Sequence, residues 1–301
     1  MNKKTKAHLA LLSANIIYAA SFTIAKQVTP EYIKPFGFVL IRAVGAAILF
    51  WVLAWLTTKE KTVRKDFPKL IVLAMFGVTI NQMLFIKGLS ITTPIDAAIM
   101  MVTTPILVLI IASIIIKERI TLLKLAGIVI GFSGAANLML DGSNLNIKSG
   151  NLLGDLFVFI NALSWGTYIV LVKPFMKKYK TVTILKWTFL FGAVLVFPFG
   201  INELAEINWE TMPSKILISA SFIVFATTFL AYLLNIYSLN ELSPSVVSAY
   251  IYLQPLLATA IALAFGKDQL SVSKIVSAVL IFAGVYLVSI PVKKESIIET
   301  N

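Results

Sequence analysis

Polar side chains recur at helical spacing within otherwise apolar stretches of this chain. Asn161, Trp165 and Tyr168 fall at i, i+4 and i+7, and Asn15, Tyr18 and Phe22 at i, i+3 and i+7. Each set therefore lies on one helix face. Aromatic faces cover apolar groups and amides fix polar ones, a combination that suits a small-solute pocket. The alternative use of such a face is packing against a neighbouring helix. Thr104 and Gln254 each precede a proline, Pro105 and Pro255. A proline in a helix removes one backbone bond and frees a carbonyl. Met100 and Tyr250 lie four residues earlier on the same faces. Asn81, Gln82, Thr227, Thr228, Tyr232 and Asn235 are further polar residues of this kind.

The chemistry on offer is recognition, not bond-making. The chain has no cysteine and one histidine, His8, in a basic N-terminal tail. That excludes a disulfide framework, a thiolate or multi-histidine metal site and a cysteine nucleophile. No cofactor is implied. The carboxylates Asp96, Glu118, Asp155 and Asp268 all fall at the ends of apolar stretches, which argues against a buried acid relaying protons. No phosphate-binding Gly-Lys-Ser/Thr loop is present, so an ATP-driven pump is not expected. Arg42 lies seven residues into its stretch, about 10 Å deep. It is expected to hold the fold together or to reach the outer interface. Lys87 and Asp96 flank a short outer loop containing Pro94. They are expected to pair there or to screen solutes at the outer mouth.

The elements that position these groups follow from composition. Hydrophobic residues make up 58% of the 301 and charged residues 13%. A soluble domain needs roughly twice that charged fraction. Apolar stretches at about 8–27, 35–57, 68–88, 95–116, 121–140, 152–172, 182–202, 214–238, 245–265 and 271–291 are each long enough to cross a bilayer as a helix. They do not alternate as strands of a barrel would. The fold class is all-α integral membrane, with ten transmembrane helices. With a cytoplasmic N-terminus, eighteen of the basic residues fall on inner segments and seven on outer ones. The net charge of +12 then marks cytoplasmic loops and not a nucleic-acid surface. Both termini are expected in the cytoplasm, in a multi-pass cytoplasmic membrane protein. No small-residue cleavage site follows the first stretch, which is read as a retained span.

The sequence also repeats. At an offset of 150, Pro94 meets Pro244, Pro105 meets Pro255, Lys117 meets Lys267, Lys124 meets Lys274 and Gly134 meets Gly284. Near the starts of the halves the offset is 147, and Lys26 meets Lys173. Each repeat holds five spans, an odd number, so the second copy enters the membrane from the opposite face. The division is 1–140 for the first repeat, 141–151 for an extracytoplasmic linker, 152–292 for the second repeat and 293–301 for a cytoplasmic tail. Inverted repeats give two halves that can exchange conformations, the natural basis of alternating access. Gly127 and Gly131 form a GxxxG that marks close helix packing, within the bundle or between two protomers of a homodimer.

Several motifs resemble the EamA-type transporters of the drug/metabolite transporter superfamily. Pro105-Ile106-Leu107 followed by Lys117-Glu118-Arg119-Ile120-Thr121 is similar to that family's P-L … G-E-R-L-T. Gly154-Asp155-Leu156 and Ala162-Leu163-Ser164-Trp165-Gly166 are similar to its G-D-L-L-A … A-x-x-W-A. Arg42 stands where the family often has an arginine. Tyr18 replaces the first-half tryptophan, Gly266-Lys267-Asp268 replaces the second G-E, and Lys87 stands where a small or aromatic residue is usual. The resemblance covers nearly the whole chain. It implies a ten-helix bundle that is a secondary transporter of small organic metabolites and not an enzyme. Amino acids or related compounds are the expected cargo, and export by alternating access the expected mode. A nucleotide-sugar or other metabolite carrier, and a channel-like or structural membrane protein, are the alternatives. The expected partners are a small-molecule solute and the lipid bilayer. The expected substrate pathway is Asn15, Tyr18, Thr104, Asn161, Trp165, Tyr168, Tyr250 and Gln254.

Overall fold

The computed structural model describes residues 2–92, 94–141, 152–264 and 271–290. Among them the chain forms ten helices, some interrupted, and no strand. The first half holds α1 (Lys3–Val28), α2 (Pro35–Thr57), α3 (Arg64–Ile91), α4 (Pro94–Val102 and Thr104–Ile115) and α5 (Leu122–Asp141). The second holds α6 (Leu152–Val172), α7 (Thr181–Ala205), α8 (Ser214–Ser238), α9 (Pro244–Ala249, Tyr250–Tyr252 and Leu253–Ala264) and α10 (Val272–Ser289). Eight of these are long and apolar enough to cross a membrane, and α4 and α5 add shorter apolar helices. The chain is a multi-pass membrane protein built of two five-helix repeats. The linker 142–151, Lys267, Asp268 and the tail 293–301 lie outside the described residues.

The surface is inside-out relative to a soluble protein. Trp55, Leu122, Leu152 and Val272 are exposed, while Asn15, Asn81, Gln82, Asn161 and Gln254 are buried. Lipid solvates the first set, and only the bundle interior can satisfy the second. One sequence-based boundary shifts. His8, expected in a tail, is part of α1, which starts at Lys3 with the Asn2 side chain accepting the Lys4 N–H. Basic residues do not oppose a helix where its first turns leave the hydrocarbon.

The repeat is visible in how helix ends are satisfied. The last carbonyls of a helix have no intrahelical partner. Lys26 Nζ donates to the carbonyls of Leu89 (2.6 Å) and Thr92 (3.2 Å) at the end of α3. Its counterpart Lys173 donates to those of Leu239 and Leu242 at the end of α8. Both third helices also carry a π turn at the same place, Met75–Thr79 in α3 and Ile223–Leu230 in α8. The expected proline interruptions are present as well. Pro105 cannot bond the Met101 carbonyl, and the Thr104 hydroxyl takes it instead at 2.6 Å. In α9 the turn Tyr250–Tyr252 tightens to a 3-10 helix just before Pro255.

The GxxxG residues work within the bundle. A Cβ on Gly127 would lie 2.8 Å from the Gly284 carbonyl oxygen, and one on Gly284 would lie 2.6 Å from that of Gly127. Gly131 leaves room for the Tyr252 ring. Helix α5 therefore meets α10 backbone to backbone, which only small residues allow.

Candidate functional site

A partly open cavity lies between the two halves, with about 590 Å³ of atom-free space when the open solvent at its mouth is included. Helices α1, α3, α6 and α8 supply most of its wall, with α2, α4 and α9 completing it. These are the first and third helices of each repeat, and α1 packs on α8 as α3 packs on α6. Several repeat equivalents line it together: Tyr18 with Trp165, Phe85 with Asn235 and Met101 with Ile251. The cavity thus straddles the axis that relates the halves. A further equivalent pair touches across that axis, with Gln82 Nε2 donating to Tyr232 Oη at 3.4 Å.

The π turn in α3 supplies carbonyls that the neighbouring helices use. Ser164 Oγ donates to the Phe76 carbonyl at 2.7 Å, and Tyr232 Oη lies 3.0 Å from that of Gly77 and 2.9 Å from Asn81 Oδ1. In α8 the Thr228 hydroxyl donates to the Ile223 carbonyl and accepts from Arg42 Nε at 3.0 Å. π turns free backbone groups in this way and are frequent at functional sites.

Hydrogen-bond direction in the wall is fixed by backbone carbonyls, which can only accept. Asn161 Nδ2 donates to the Asn81 carbonyl at 2.7 Å. Its amide oxygen is left buried without a partner among the described residues. Asn15 Nδ2 donates to the Leu11 carbonyl, so Asn15 Oδ1 must accept, and it does so from Gln254 Nε2 at 3.0 Å. That leaves the Gln254 oxygen as an acceptor. The hydroxyl of Tyr18, able to donate or accept, is also buried without a partner among the described residues. Among the described wall residues Arg42 is the one charged donor.

Tyr18, Asn161, Trp165 and Gln254 of the expected pathway are on the cavity wall. Asn15 lies behind it, holding Gln254 in place. Thr104 is fully buried and spent on its own helix. Tyr168 shares the face of Asn161 but is a further turn along α6. It fills the space beside Gly77, where a Cβ would come within 2.6 Å of its ring. Tyr250 turns toward α1, where its hydroxyl is 2.7 Å from His8 Nδ1. Arg42 is 5% exposed and lines the cavity. Its helix α2 packs against α7 and α8. Lys87 is half-buried near the end of α3, and its expected pairing with Asp96 falls on a side chain outside the described residues. Asn81, Thr227, Tyr232 and Asn235, weaker candidates in the sequence, are on the wall. Ser21, Phe85, Met101 and Ile251 were not expected there. The 150-residue register, which pairs Met101 with Ile251, is the signal that could have found two of them.

Known proteins resemble this one across its length. The model of the EamA-like transporter family matches residues 5–140 and 152–290. An uncharacterized transporter of Bacillus subtilis (strain 168), YyaM, is 28% identical over 290 residues, 95% of this chain and 94% of that protein. An uncharacterized transporter of Archaeoglobus fulgidus is 27% identical over 293 residues, 95% of this chain and 98% of the relative. A WAT1-related protein of Arabidopsis thaliana is 25% identical, over 96% of this chain and 82% of its own length. A protein of known crystal structure shares the fold at a TM-score of 0.74 and 16% identity, over 95% of this chain and 98% of the other. Because the family match runs through both halves, this chain belongs to the EamA-like transporter family and is a membrane transporter.

Proposed function

We propose that this transporter is a secondary carrier that moves a small organic metabolite, an amino acid or a related compound, out of the cytoplasm by alternating access. The observation that carries the reading is the cavity's place between two repeats that have the same scaffold. A site on that axis is exposed to opposite sides when the halves exchange conformations. Its wall mixes amides, hydroxyls and aromatic rings, as a small-solute site does. The charge bias of the loops supports cytoplasmic termini in the plasma membrane.

A thermal-shift screen of the purified protein against a metabolite library identifies the ligand, because binding to the folded state raises apparent stability. Reconstituted protein should then show saturable uptake and counterflow of that ligand. Uptake that never saturates and lacks counterflow fits a channel and removes the carrier reading. For orientation, reporters fused at 59–66 and 177–180 should report the cytoplasm and reporters at 141–151 the exterior. A cytoplasmic signal at 141–151 breaks the inverted topology.

A further inference from the structure

The cavity wall has a defined charge as well as a defined shape. Arg42 Nε is held by Thr228 at 3.0 Å, and its two terminal nitrogens have no hydrogen-bond partner among the described residues. The described ion pairs, Lys34–Glu206, Lys124–Glu118 and Lys178–Asp66, leave it out. Among the described residues no carboxylate belongs to the cavity wall. One buried guanidinium therefore faces the cavity without a described countercharge, a costly arrangement that an anion would relieve. Guanidinium matches a carboxylate two bonds at a time.

The opposite requirement comes from the amides. Asn161 Oδ1 and Gln254 Oε1 are oriented as acceptors by the carbonyl-anchored chains behind them. They want an N–H donor from the solute. An amide oxygen accepts from a neutral N–H or from an ammonium, but it does not cancel an ammonium's charge. A zwitterion would leave the site with its single positive charge; a monoanion with a neutral donor would leave none.

We infer that the cavity takes a small organic monoanion. Its carboxylate binds Arg42, its neutral N–H donates to Asn161 and Gln254, and its apolar body packs on Trp165 and Phe85. The inference rests on the carrier reading of the same cavity and narrows its substrate class, from amino acids and related compounds to the related compounds that keep a carboxylate and lack an ammonium. The symmetry of the fold singles out Arg42 as the determinant, because its equivalent in the second half is Phe189.

The test uses four probes of similar shape: N-acetyl-L-phenylalanine (a monoanion), N-acetyl-L-phenylalaninamide (neutral), L-phenylalanine (a zwitterion) and phenethylamine (a cation). Binding to the purified full-length protein is measured by calorimetry. The monoanion should bind about tenfold more tightly than the other three, the range of one charge-assisted hydrogen-bonded pair. Arg42→Gln should abolish that preference, and Arg42→Lys should keep part of it. The ranking on the unmodified protein stands as a test even if the Arg42 variants do not fold. Equal or tighter binding of the zwitterion or the cation overturns the inference, as does an unchanged ranking in folded Arg42→Gln. Failure of all four probes, with saturable counterflow of another solute still present, overturns the inference and leaves the carrier. Failure of counterflow with every library solute defeats the carrier reading itself.

Discussion

The two halves of this protein agree where they build the bundle and disagree where they line the cavity. Lys26 and Lys173 bind the same carbonyls of equivalent helices. Gly45 and Gly192 are equivalents, and each lets its helix approach a valine at a π turn of the opposite half, Val224 and Val78 respectively. In the cavity, Tyr18 answers to Trp165, Phe85 to Asn235, Thr104 to Gln254 and Arg42 to Phe189. Under the proposed alternating access, a scaffold is symmetric so that its halves can exchange conformations. A site must be asymmetric, because a small solute has a head and a tail.

The largest expected effect breaks the scaffold where it is tightest. A Cβ on Gly284 would meet backbone atoms of Gly127 and Gly131 at 2.6 Å, and backbone cannot step aside. One on Gly45 would come within 2.6 Å only of Val224 Cγ1, a side-chain atom that can rotate. Gly284→Ala should cost about 3 kcal/mol and Gly45→Ala about 1 kcal/mol, the ends of the usual overpacking range. Thermal unfolding in detergent measures both. Equal losses would mean that α5 and α10 can separate freely.

The lysines test whether the halves share their energetics as well as their geometry. A cation on unpaired helix-end carbonyls in a partly buried setting stabilises by up to about 2 kcal/mol. Lys26→Met and Lys173→Met should therefore destabilise by similar amounts, on the order of 1–2 kcal/mol each. A loss confined to one variant would show that the repeat is kept by sequence and not by function of the contact.

The next comparison sharpens the asymmetry of the site. Gln254 and Thr104 occupy equivalent positions, but only Gln254 reaches the cavity. Gln254→Leu removes one hydrogen-bonding group, worth about 1 kcal/mol, so ligand affinity should fall about fivefold. Thr104→Val should leave affinity unchanged, since its hydroxyl serves the Met101 carbonyl. Isothermal titration with the screened ligand decides. Unchanged affinity in Gln254→Leu reduces that side chain to an interhelical bond with Asn15.

What the sequence revealed of this architecture follows the same division. Spans, proline interruptions and the repeat were legible, because lipid demands long apolar helices and the register runs without a gap. Helix periodicity found the face that holds Asn161 and Trp165 but not its depth. Tyr168 is seven residues from Asn161, about 10 Å further along the axis, and this places it beside Gly77 instead of the cavity. Arg42 was ambiguous for a related reason: its depth can be counted, but the helices it packs among and the cavity it lines are built by residues distant in sequence. The π turns have no residue signature at all. They became visible only through the side chains that use their carbonyls, such as Ser164 and Tyr232.

The smallest effect concerns a corner where this chain departs from the motif it otherwise resembles. Helix α4 ends at Ile115 with Ile116 as its cap, and Lys117 follows with φ at 54°, the left-handed region. That turn brings the Glu118 N–H back to the Ala112 carbonyl at 3.0 Å, and Glu118 pairs with Lys124 in a buried contact of 2.7 Å. The resembling family has glycine where Lys117 stands, and glycine adopts this conformation without a Cβ clash. The clash for other residues is about 1–2 kcal/mol, offset in part by the extra freedom of glycine in the unfolded chain. Lys117 is exposed, so its side chain has little packing to lose. Lys117→Gly should therefore stabilise the protein by about 0.5–1 kcal/mol, read as a small rise in unfolding temperature. Lys117→Ala should give no such gain, because alanine keeps the Cβ. A rise in the alanine variant equal to that in the glycine variant would assign the effect to loss of the lysine's charge among its basic neighbours instead of to the backbone.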